Sequence, residues 1–227
     1  MVATTLSCKD GLCLAKCNAM NRTQAEEHLR VIRSLMEKAT IYQAISAPTA
    51  LVGGILSTIL GGILYFQWDR PRSSSAEGGL VFVGCWVVVL VLTGAVNGWF
   101  IYREAKRREE KFISPGMKKA LWALFPSLLC GAAFTLFFLN NYRLLPPFWM
   151  IFYGLALLAT THFSPRAIPR LGWSFLAAGL LLLGLAFDGY SQFRGRVLAS
   201  PNLLMLATFG GMHLVYAVCT WGRRQES

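Results

Sequence analysis

The chain has 227 residues, of which 55% are apolar and only 15% charged, with a formal net charge of +11. That excess does not call for a nucleic-acid partner, because the bases flank long apolar runs and act as a topology signal. The segments between those runs are about seven to seventeen residues long, which excludes a soluble catalytic domain inserted among them.

Residues 1–22 read as a cysteine-containing tail. They hold no apolar stretch of the kind a signal peptide needs. Cys8, Cys13 and Cys17 are the metal candidates, with Lys9 and Lys16 nearby to favour thiolates. Three thiols fall one short of a structural zinc set, and their spacing matches neither common ferredoxin pattern. Reduced cytosolic thiols are the plainer reading, and no cofactor is expected.

Residues 23–40 predict an amphipathic cytoplasmic helix. Thr23 and Glu26 form a capping box. Leu29, Ile32, Met36 and Ala39 recur near helical spacing, among Glu26, Glu27, Arg30, Arg33 and Lys38. Such a helix suits a membrane surface, a partner protein, a second copy of itself, or a simple lead-in to the first span.

Residues 41–221 predict a transmembrane domain. A bilayer core takes about 20 mostly apolar residues in a helix. Six runs meet or approach that length: Ile41–Phe66, Leu80–Tyr102, Ala120–Leu139, Pro147–Phe163, Leu171–Phe187 and Leu203–Trp221. None contains a charged side chain, and their continuous apolarity argues against the alternation of a β-barrel. Pro48 and Pro126 are expected near helix starts. Tyr65, Trp68, Trp99, Tyr102, Trp122, Trp149, Tyr190 and Trp221 fit an interfacial belt. Short loops predict that sequence neighbours pack antiparallel. Gly53, Ser57 and Gly61, spaced by four, line a close-packing face of the first span, whereas Gly179 and Gly184, five apart, carry no such message.

Polar groups inside the runs are the candidate ligand site: His213 in the sixth, His162 at the end of the fourth, Asn97 in the second and Gln43 in the first. Gln43, Asn97 and His162 share a depth and suggest a polar vestibule; interhelical bonding is the plainer role. A bis-histidine haem is disfavoured, since His162 and His213 fall roughly 22 Å and 15 Å below the outer ends of their helices, at 1.5 Å per residue. Asp188 is the acidic group nearest the outer rim, with Arg194 or Arg196 as its partner. No phosphate-cradling glycine loop, HExxH or G-x-S-x-G occurs, and no catalytic residue is assigned.

Seventeen of the 22 bases fall on one side of the runs. Arg70, Arg72, Arg143, Arg194 and Arg196 fall on the other. The positive-inside rule then places both termini in the cytoplasm. The expected fold is an all-α integral membrane bundle of six transmembrane helices, with residues 222–227 as a cytoplasmic tail.

The stretch from Ala25-Glu-Glu-His-Leu-Arg-Val-Ile-Arg through Met36-Glu-Lys-Ala to Ala47-Pro-Thr-Ala, followed by glycine-rich spans, resembles uncharacterised bacterial inner-membrane proteins. In that group a short amphipathic lead-in precedes several spans, and members look like neighbours of small winged-helix regulators. The resemblance implies a multi-pass protein of the cell inner membrane with a sensing or regulatory role, and brings no catalytic residues.

Three functional readings follow. The first is a non-enzymatic sensing, scaffolding or accessory subunit, with the lipid bilayer, a membrane or regulatory protein, or a second copy as partner. The second is the membrane component of a transporter or permease. The third is a membrane-embedded enzyme or redox protein.

Overall fold

The computed structural model describes residues 24–33, 47–68, 76–107, 109, 115–161, 164, 167–187 and 200–222. These are helical almost throughout and contain no strand. Helix α1 covers residues 24–33, and every residue in it is exposed. The six longer segments are each apolar and long enough to cross a membrane.

The first three are α2, Ala47–Trp68, α3, Ala76–Arg107, and α4, Pro115–Phe137. Pro48 stands in the first turn of α2, where its missing N–H costs little. At 32 residues α3 is about 48 Å long, well beyond a hydrocarbon core of about 30 Å. It ends after Arg107, where Glu109 takes a left-handed conformation with φ 55°. Helix α4 begins five residues before its apolar run, so Pro126 falls inside the helix and not near its start. The bases Lys118 and Lys119 prolong the helix beyond the hydrocarbon, since helical geometry is indifferent to where lipid ends.

The fourth crossing has two parts. A 3₁₀ segment, Leu139–Leu144, leads into α5, Leu145–Ala159, with a break at Asn141 (φ −125°, ψ 50°). Pro146 and Pro147 occupy the first turn of α5. Fifteen α-helical residues reach only about 22 Å, and six 3₁₀ residues add about 12 Å to complete the crossing. Helix α6 is Ala167–Phe187. Helix α7 starts as Pro201–Met205, widens into a π turn at Leu206–Gly210, and continues as Gly211–Gly222.

Packing divides the bundle into two three-helix groups. In one, α2 lies against α3 and all along α7; in the other, α5 lies between α4 and α6. Among the described residues α3 and α4 form no packed pair, so antiparallel pairing of sequence neighbours fails there. The groups meet where α3 touches the 3₁₀ segment and where α7 reaches α5 and α6. At that seam Phe82, Trp86, Val89, Leu145 and Met205 form a buried core, with Trp149 packed on it. Trp149 is partly buried against that core.

Backbone proximity holds each group together. Gly53 sits against Thr93 of α3, with an ideal Cβ only 2.9 Å from the methyl carbon. Gly61 meets Leu206 and the Asn202 carbonyl of α7, and Ser57 between them is buried. The small-residue face of α2 thus packs within its own chain. The α5–α6 contact is closer still: a Cβ on Gly154 would lie 2.8 Å from the Gly172 carbonyl oxygen. Gly179 approaches the Pro147 carbonyl, while Gly184 faces open space. Gly179 therefore does carry a packing role, through Gly172 seven residues earlier, two helical turns away on the same face.

Candidate functional site

His213 lies partly buried within the described bundle. It sits in α7 just past the π turn, where the Gly211 N–H reaches both Leu206 and Thr208 carbonyls. Its Nδ1 lies 2.7 Å from the Phe209 carbonyl oxygen and its Nε2 lies 2.9 Å from the Tyr153 hydroxyl of α5. A carbonyl oxygen can only accept, so Nδ1 carries the proton. In the neutral ring Nε2 then accepts from Tyr153. Phe175 of α6 closes the site, its ring 5.0 Å from Tyr153 and 5.4 Å from His213. Phe209 stacks on the imidazole at 6.3 Å. One histidine thereby ties α7 to α5 across the seam, and both its ring nitrogens are occupied by its own chain. Only departure of Tyr153 would open Nε2 to a ligand.

Two further polar clamps join helices. Trp86 Nε1 donates to Asn202 Oδ1 at 3.2 Å, from α3 to the start of α7. Trp149 Nε1 donates to Thr135 Oγ1 at 2.8 Å, from α5 to α4, and that hydroxyl donates onward to the Gly131 carbonyl. Beside the first clamp lies a cavity of about 10 Å³ lined by Leu64, Gly78, Phe82, Cys85, Tyr142 and Asn202. It has room for one water molecule.

Asn97 lies on α3, one turn beyond Thr93. Its Oδ1 and the Thr93 Oγ1 are both buried without a hydrogen-bond partner. Thr93 breaks a local habit: Thr58, Thr135, Thr208 and Thr220 each donate to the carbonyl four residues back. Gln43, His162, Asp188, Arg194, Arg196 and the thiols Cys8, Cys13 and Cys17 all lie outside the described residues. The structure thus brings Asn97 and His213 into no common site, and the vestibule is represented by Asn97 alone.

Comparison with models of protein families, with curated proteins and with solved structures finds no match. Among the described residues no group of three or more His, Cys, Asp or Glu side chains could hold a metal ion.

Sequence reasoning missed Tyr153. A tyrosine in the middle of a span must place its hydroxyl somewhere, and that need was the available signal. The Trp86–Asn202 clamp had none, because Asn202 precedes the sixth apolar run and reads as loop.

Proposed function

We propose that this protein is a non-enzymatic accessory or scaffolding subunit of a membrane assembly, in the cell inner membrane with both termini cytoplasmic. The observation that carries the reading is helix α1, whose Leu29 and Ile32 are 65% and 52% exposed. Ala25, Leu29 and Ile32 are four and three positions apart, so they form one apolar stripe with nothing of the described bundle on it. The bundle supports the same role, because His213, Asn202 and Thr135 spend their polar groups on joining helices.

The test is gentle purification at native expression, with mass spectrometry of what travels with the protein. A stoichiometric membrane or regulatory protein is expected, lost when Leu29 and Ile32 are both changed to Ser. Retention of that partner by the double variant would remove α1 from the account. A stoichiometric ATPase would instead favour a permease subunit. The unpartnered Thr93 and Asn97 oxygens favour that second reading, since a passing substrate or water could satisfy them.

The orientation has its own test. A cysteine placed at Ser74 is expected to react with an impermeant maleimide from outside, and one placed at Ala105 is not. The reverse pattern inverts the topology.

A further inference from the structure

Helix α3 continues unbroken past its apolar run, and that extension carries a surface the accessory reading does not use. Trp99, Tyr102, Arg103 and Lys106 are spaced three, one and three residues apart, so they share one face of the helix. All four are exposed, Trp99 by 62% and Tyr102 by 49%. The apolar run ends at Tyr102, which places Trp99 and Tyr102 at the hydrocarbon boundary. Lys106 is four residues further, about 6 Å along the axis, at headgroup depth. Glu104 lies on another face of the helix, 3.9 Å from Arg107. On the membrane side of the stripe, Gly94 and Gly98 have no atom within 4 Å of an added Cβ. They precede Tyr102 and Lys106 at four-residue intervals, so they leave a shallow stretch in that row of α3 leading up to Lys106.

We infer that this face of α3 binds an anionic phospholipid. Arg103 and Lys106 hold the phosphate, Trp99 and Tyr102 flank the glycerol region, and an acyl chain lies over Gly94 and Gly98. The physical reasons are separate and add up. Guanidinium and ammonium groups complement a phosphate, and a base near an anionic surface contributes favourably. Indole and phenol rings prefer the level where hydrocarbon gives way to water. A glycine trough lets a chain approach the helix backbone closely. The inference rests on the six membrane crossings and is independent of the accessory role.

The experiment is native mass spectrometry of the full chain in mild detergent, titrated with phosphatidylglycerol or phosphatidylcholine. The wild type is expected to bind phosphatidylglycerol in preference. Arg103→Gln with Lys106→Gln is expected to weaken that binding about 30-fold, the combined effect of two bases. The charge-keeping pair Arg103→Lys with Lys106→Arg retains most of it and controls for folding. Soluble glycerophosphate is expected not to compete, because the site also takes the chain. Unchanged binding of phosphatidylglycerol by the Gln pair, or equal binding of phosphatidylcholine by the wild type, would overturn the inference.

Discussion

Changing Gly154 to Ala is expected to destabilise the bundle by about 2 kcal/mol, although the same change usually stabilises a helix. The added methyl group would lie 2.8 Å from both the Gly172 carbonyl oxygen and the Leu176 nitrogen. Neither is a flexible side-chain tip, so α5 and α6 must separate along their whole contact. Gly184→Ala on the same α6 is the comparison: its Cβ meets nothing within 4 Å, and it is expected to be neutral or stabilising by up to about 1 kcal/mol. Denaturant titration of the purified protein in micelles, followed by tryptophan fluorescence, measures both. Equal effects at the two sites would mean that α5 and α6 are not in backbone contact.

His213→Ala is expected to be the costliest polar substitution in the described bundle, at about 3 kcal/mol. It opens a void among Tyr153, Phe175 and Phe209 and leaves the Tyr153 hydroxyl buried without its acceptor. Tyr153→Phe removes only the hydroxyl and is expected to cost about 1 kcal/mol, in the range of hydrogen bonds between membrane helices. In the double variant the two losses should fall short of their sum by about 1 kcal/mol, which is the coupling between the partners. Strict additivity would show that the bond does not form in solution.

The number of crossings was legible because apolarity over about 20 residues is a property of composition, which bilayer thickness converts directly into length. Helix ends were not. Lys118, Lys119, Arg170, Arg103 and Arg107 all lie within helices, since hydropathy marks the lipid boundary and hydrogen bonding marks the helix. The fourth crossing shows the difference most clearly. Its apolar run suggested a helix from Pro147, whereas the proline pair opens α5 at Leu145 and a 3₁₀ segment leaves Asn140 exposed and brings Tyr142 and Arg143 partly into the bundle. The close-packing face of α2 was readable from its four-residue spacing, and that of α6 was overlooked because Gly172 and Gly179 stand two turns apart. Of the candidate site, His213 was visible as a lone histidine in apolar surroundings. Its partner was not, because no periodicity relates positions on helices that meet only through tertiary packing.

The pairing of α2 with α7 sets an order for the making of this protein. The two helices are 201 − 68 = 133 positions apart in the chain, yet Gly54, Thr58 and Gly61 of α2 are completed only by Leu214, Gly210 and Leu206 of α7. At about 5–20 residues per second, the ribosome takes on the order of ten seconds to cover that interval. Throughout it α2 has α3 beside it, but its glycine-lined flank is open. The α4–α5–α6 group makes its main contacts among its own helices and can close as they emerge, with only its seam to α7 at Leu145, Tyr153 and Phe175 left open. The nascent chain therefore holds one nearly finished half and one unfinished half until α7 enters the bilayer, and during that wait α2 is the surface that insertion factors and membrane proteases meet.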